Sequence, residues 1–108
     1  EPTVTKGEGI IELEVDKETQ EWHIKSVKGT SYGDAKVQIT IAKKNCKLLN
    51  LCLKDCTLKP NVIVACICRR GKVIIPDGFT AVEEGDSVIV ITAGQTITNL
   101  NDILDSKE

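Results

Sequence analysis

Apolar and polar residues alternate along much of this chain, and that period of two predicts β-strands. Residues 9–16 read Gly-Ile-Ile-Glu-Leu-Glu-Val-Asp, which places Ile11, Leu13 and Val15 on one face with acids between them. Residues 17–20 form a turn signal and residues 21–27 a returning strand, so 9–28 is expected to be a β-hairpin. The breaker-rich stretch 29–33, Gly-Thr-Ser-Tyr-Gly, marks the expected boundary between an N-terminal extension (1–33) and a main unit (34–108).

In the main unit, residues 34–41 alternate through Val37, Ile39 and Ile41 and predict a strand. Leu48, Leu49, Leu51, Cys52 and Leu53 then crowd a window that predicts a short helix ending near Asp55 and Cys56. Pro60 bars any helix beyond about Lys59, because the residue before proline avoids the helical region. Residues 62–68 are continuously apolar and rich in β-branched side chains, the signature of a strand buried on both faces. Residues 69–72 predict a tight turn with Gly71 at positive φ, followed by a partner strand that stops at Pro76. Asp77-Gly78 is a further turn, 81–85 a connector and 87–92 the last strand. Beyond Gly94, Thr96 or Thr98 is expected to cap a closing helix carrying Ile97, Leu100, Ile103 and Leu104 at helical spacing. The order is β-α-β-β-β-α: an α+β sandwich with a mainly antiparallel sheet covered by helices, preceded by a hairpin.

Composition narrows the class. A chain of 108 residues holds one domain rather than two. Its aromatics are Trp22, Tyr32 and Phe79, so the core must be aliphatic. The longest apolar run, 62–68, is far too short to span a bilayer, and no secretory signal pattern opens the chain. Methionine is absent even at position 1, which suggests a piece of a longer product. The net charge of −2 hides a segregation of −4 over residues 1–34, +8 over 35–72 and −6 over 73–108. Where folding keeps these signs apart, the basic third attracts anions. Where it interleaves them, they make an ordinary solvated surface.

The chemical inventory is thin. Cys46, Cys52, Cys56, Cys66 and Cys68 are odd in number and contain no Cys-x-x-Cys pair, which favours buried structural thiols in a reducing cytoplasm over disulfides or a metal site. There is one histidine, His23, in an alternating segment where a surface role is expected. No nucleophile elbow, phosphate-binding glycine loop or paired-histidine metal motif occurs. The pairs Glu12/Glu14 and Glu83/Glu84 fall on an exposed strand face and in a connector, and neither Cys52 nor Cys56 has an evident base. The reading is that the chain is not an enzyme.

The discriminating segment is 62–92, VIVACICRRGKVIIPDGFTAVEEGDSVIVIT. Its ordered pieces are Arg69 to Lys72, Ile74-Ile75-Pro76, Gly78 and Thr80, Gly85-Asp86, and Val88 to Val90. Together with Leu51 to Asp55 and Leu58 to Asn61 upstream, this string resembles the TrkA C-terminal domain, also called the RCK C-terminal domain, over about residues 35–105. Arg70 stands where that family often has Asp before the turn glycine, and residues 1–33 fall outside the resemblance. A rival grammar is that of AbrB-type DNA-binding hairpins. It wants a basic segment between the proline and the Gly-Asp, whereas 76–85 here carries only acids, a poor tool for binding phosphates. A third reading is a generic β-rich protein-interaction domain.

The TrkA-C resemblance implies a non-enzymatic, cytoplasmic, ligand-sensing and dimerising module of a potassium or other cation channel or transporter system. Such a module sits at the inner face of the membrane without inserting into it, and binds no nucleic acid. It also implies a homodimer and a membrane channel or transporter subunit as partners, with no bound cofactor. In some relatives a small anionic effector, cyclic di-AMP, binds between paired copies. By family position the lining candidates are Asn61, Val62, Ile63, Ile75 and Pro76, with Arg69 or Arg70 facing phosphate. The bland alternative makes the aliphatic residues core or dimer contacts and the arginines solvated turn charges.

Overall fold

The structure, a computed structural model, describes residues 3–6, 9–19, 21–28, 36–94 and 96–105. Strands β1 (Thr3–Lys6), β2 (Gly9–Val15) and β3 (Trp22–Lys28) form an antiparallel sheet in the order β1-β2-β3. The predicted hairpin is β2–β3, turned at Asp16, whose carboxylate accepts the N–H groups of Glu18 and Thr19. Strand β1 was not anticipated, because in TVTK Val4 is the one apolar residue and no alternation shows. The boundary assigned to 29–33 lies outside the described residues.

Strands β4 (Lys36–Ile41), β5 (Val62–Arg69), β6 (Lys72–Ile74) and β7 (Ser87–Thr92) form the second sheet, in the order β4-β7-β5-β6. Every pairing in it is antiparallel. Strand β5 is buried on both faces and carries a bulge between Val64 and Cys66, where the register against β7 slips by one residue. Ile63 and Ala65 lie on one face before the bulge, and Cys66 and Cys68 continue that face after it, while Val62, Val64 and Ile67 pack on the other. On the first face, Ala65, Cys66, Cys68, Ile89 and Ile91 pack against Ile11, Leu13 and Trp22 of the N-terminal sheet. On the second, Val62, Val64, Ile67, Val88 and Val90 meet Ala42, Leu48, Val82, Ile97, Leu100 and Ile103 from irregular chain.

Both expected helices are corrected. Among the described residues there is no α-helix, only 3-10 turns at Leu53–Asp55 and Leu100–Ile103. In the first region Asn50 sits at φ 63, in the left-handed region that ends a helical run. Its N–H and those of Leu53 and Lys54 go to the carbonyls of Val82, Thr80 and Gly78 instead of to the preceding turn. In the second, Lys59 N–H donates to Ile103 and Asp105 N–H to Thr57, so extended pairing consumes the groups a longer helix would use. The cap is Asn99, whose side chain accepts from Asn101 N–H, rather than Thr96 or Thr98. The α+β sandwich thus becomes a β-rich one: sheet on sheet, with an irregular third layer.

Candidate functional site

The β5–β6 hairpin turns on Arg70 at φ 49 and Gly71 at φ 76. Two successive positive φ values match the right-handed twist of the flanking strands, and Arg70 bears a steric cost that glycine does not. Its side chain is 83% exposed, with one guanidinium nitrogen 3.8 Å from Glu83. Arg69, one residue earlier, turns inward. Its Nε donates to Asp86 Oδ1 at 2.9 Å, and its Nη2 donates to Asp86 Oδ2 at 2.8 Å and to the Ala81 carbonyl at 2.9 Å. Its Nη1 lies 3.1 Å from Glu83 Oε2. Asp86 is 2% exposed and also accepts the Glu83 N–H. The Asp86 carboxylate holds the Arg69 guanidinium pKa above its ordinary value. Two separate pieces of the sequence string thus meet: Arg69 and Asp86 make a two-pronged ion pair that closes the 81–86 loop onto β5.

The middle of the string is architectural too. Asp77 Oδ1 accepts Phe79 N–H at 2.8 Å, and Asp77 N–H donates to Thr80 Oγ1 at 3.1 Å, forming a compact turn. At Gly78 a Cβ would lie 3.3 Å from Lys54 Cβ, a tight contact that glycine avoids. The turn presents Phe79, 73% exposed, under the Lys54 ammonium at 4.6 Å from the ring centre.

The residues proposed to line a ligand cleft fall into separate places. Asn61, at φ 65, opens β5 and accepts Ala93 N–H on its carbonyl. Val62 is buried in the core on one face of β5, and Ile63 is half-buried on the other. The pairing of Ile67 with Ile74 sets Ile75, 61% exposed, and half-buried Pro76 beside the middle of β5 rather than opposite Asn61. Arg69 and Arg70 stand at the far end of β5, about 26 Å from Asn61 at ~3.3 Å per residue. One copy does not bring the two groups together, and Arg69 is already engaged by Asp86.

Two clefts lie elsewhere, and none of those seven residues lines either. One, of about 290 Å³, runs between β4 at Ile39–Ile41 and the segment Thr98–Leu100, with Lys43 and Cys46 in its wall. The other, of about 480 Å³, is bordered by Lys47, Leu51, Asp55, Cys56, Asn101 and Leu104. No motif foretold them, because each borders irregular chain whose path the local sequence pattern does not give. The cysteines are placed as structural thiols. Cys46, Cys66 and Cys68 are buried, Cys52 and Cys56 half-buried, and all five are free. The adjoining Cys68 group, aided by burial, pushes the Cys66 thiol upward, and burial does the same to Cys56, so both stay protonated and poorly nucleophilic. His23 is exposed on β3. Among the described residues no helix is long and apolar enough to cross a membrane.

Residues 37–105 match the family described as the TrkA-C domain, a span that takes in β4 to β7 and both 3-10 turns. No curated protein matches the chain.

Proposed function

The chain belongs to the TrkA-C domain family, and on that premise we propose that it is a non-catalytic, cytoplasmic regulatory module of a potassium or other cation channel or transporter, working as a homodimer. The observation that carries the reading is the match over 37–105, within which the motif residues build one clamped hairpin instead of a reaction centre. Such a unit suits relay, because a ligand or membrane partner has only to prefer one arrangement of two copies. The effector would be a small anion such as cyclic di-AMP. Asn61, Ile75 and Pro76 supply surface for it, whereas Ile63 lies under the N-terminal sheet and Val62 in the core, and exposed Arg70 is the better phosphate partner of the two arginines. Arg69 would have to leave Asp86 to take part.

Loss of the protein from its host should change cation uptake, potassium first, followed with rubidium as tracer; unchanged potassium uptake at limiting potassium would overturn the potassium assignment, and unchanged uptake of other cations as well would overturn the regulatory reading. Calorimetric titration with cyclic di-AMP at high protein concentration tests the effector separately. Heat that vanishes with Arg70→Ala supports the site, and no heat removes the effector while leaving the regulatory reading in place. The DNA-binding alternative has little support, since the loop from Pro76 to Gly85 carries acids and no Lys or Arg.

A further inference from the structure

The family match begins at residue 37, yet the first face of the four-stranded sheet is completed by residues the match leaves out. Ile11 is 2% exposed, Leu13 0% and Trp22 7%, all packed on that face with Val15 and Ile24 beside them. Beneath them lie Ile63, Ala65, Cys66, Cys68, Ile89 and Ile91, a contiguous apolar surface. A surface of that kind does not stay bare in water. The face also runs past its cover: Ile41, next in the alternation after Val37 and Ile39, is 54% exposed. A matched segment lacking residues 3–28 must be covered by another chain. An identical copy is the partner whose corresponding face is equally apolar, as a two-fold pairing requires.

We infer that the β1–β3 sheet is a built-in substitute for a second copy: it occupies, within one chain, the face through which the matched segment would otherwise pair with itself. It follows that the homodimer of the proposed function uses another surface, and that loosening β2–β3 opens a new mode of association through Cys66, Cys68 and their neighbours. This rests on the regulatory reading only in taking a second copy as the partner.

The buried thiols on the two faces report the outcome. In the full chain, Cys66 and Cys68 should resist maleimide and give no copy-to-copy cross-link. In full-length Leu13→Asp, or the milder Trp22→Ala, they should label about tenfold faster or more in dilute protein, as a local opening allows, while Cys46 on the opposite face stays protected. Raising the protein concentration should then slow that labelling and yield cross-links between copies through Cys66 or Cys68, located by peptide mapping. The inference is overturned if Cys46 labels as fast as Cys66 in both variants, if Cys66 and Cys68 stay protected in both, or if they open without concentration dependence. A monomeric parent chain in sedimentation would count against the proposed homodimer and leave this inference standing.

Discussion

On one side of the four-stranded sheet lies a second sheet, and on the other a layer of irregular chain. The second sheet pairs its own backbone through β1-β2-β3 and docks by apolar contact: Ile11, Leu13 and Trp22 against Cys66, Cys68 and Ile89. The irregular layer has no continuous ladder: some of its backbone groups pair across loops, Asn50 N–H with Val82 and Lys59 N–H with Ile103 among them, and side chains satisfy others. Gln38 grips the backbone of Ile97 with both amide atoms, at 2.9 and 3.1 Å, and Asn101 bonds Lys47 N–H and the Asn45 carbonyl. The Arg69–Asp86 pair closes the 81–86 loop in the same way. One cover is held by burial, the other by polar pins as well, and the two should fail differently.

The sharpest break should come from the pins. Asp86→Ala removes two bonds to the half-buried Arg69 guanidinium and the acceptor of Glu83 N–H, leaving Arg69 only Glu83 and the Ala81 carbonyl, and should cost about 3–5 kcal/mol in urea unfolding. Replacing both partners, with Arg69→Met and Asp86→Leu together, should recover much of that loss, since the half-paired charge goes with them. A single-variant cost no larger than that of an exposed salt bridge would show that the loop does not depend on the clamp. Next come Leu13→Ala and Leu48→Ala, one under each cover, both at 0% exposure in the parent. Each should cost about 2–5 kcal/mol. They should differ in where hydrogen exchange quickens: over β2 and β3 for Leu13→Ala, and across the whole main sheet for Leu48→Ala. Identical exchange maps would mean that the two covers are a single cooperative unit.

The same contrast explains what could be read in advance. Strands announce themselves by alternation, and β2, β3, β4, β5, β6 and β7 were all legible to within two residues at either end. The TrkA-C family was legible as well, because its motif residues keep fixed spacing. The irregular layer was not. Its apolar residues, Leu48, Leu49, Leu53, Ile97, Leu100 and Ile103, crowd as a helix face would, and what breaks the helix is the left-handed backbone at Asn50 and hydrogen bonds to distant carbonyls. Local pattern does not carry such long-range pairings. Arg69 and Asp86, 17 residues apart, were both visible in the motif string, yet nothing in the spacing says that they touch. The separation of Asn61 from the arginines follows from strand length alone and was readable once β5 was drawn as one straight element.

The smallest effect is also the one whose sign is most constrained. Asp102 closes the second 3-10 turn by accepting the N–H groups of Thr98 and Asn99 on one carboxylate oxygen, at 3.0 and 3.1 Å. Those two backbone donors, Thr98 first, hold its pKa below the ordinary aspartate value. A group depressed in the folded state adds stability above its unfolded pKa of about 3.9 and loses it as pH falls through the lower folded value. Asp102→Asn, which keeps an acceptor but not the charge, should therefore cost about 0.5–1 kcal/mol at neutral pH, the difference between a charged and a neutral hydrogen bond. The gap between parent and variant should close as the solution is acidified below about pH 4. Asp16 does the equivalent work at the β2–β3 turn, its pKa lowered by Thr19 and Glu18 N–H groups, so Asp16→Asn should show the same direction. The two acids then separate the covers. Acid should loosen exchange at 96–105 through Asp102 and at β2–β3 through Asp16, each without the other when the opposite acid has been replaced. A gap that widens in acid would reverse the assignment of these carboxylates as charged acceptors, and with it the claim that the irregular layer is held by polar pins.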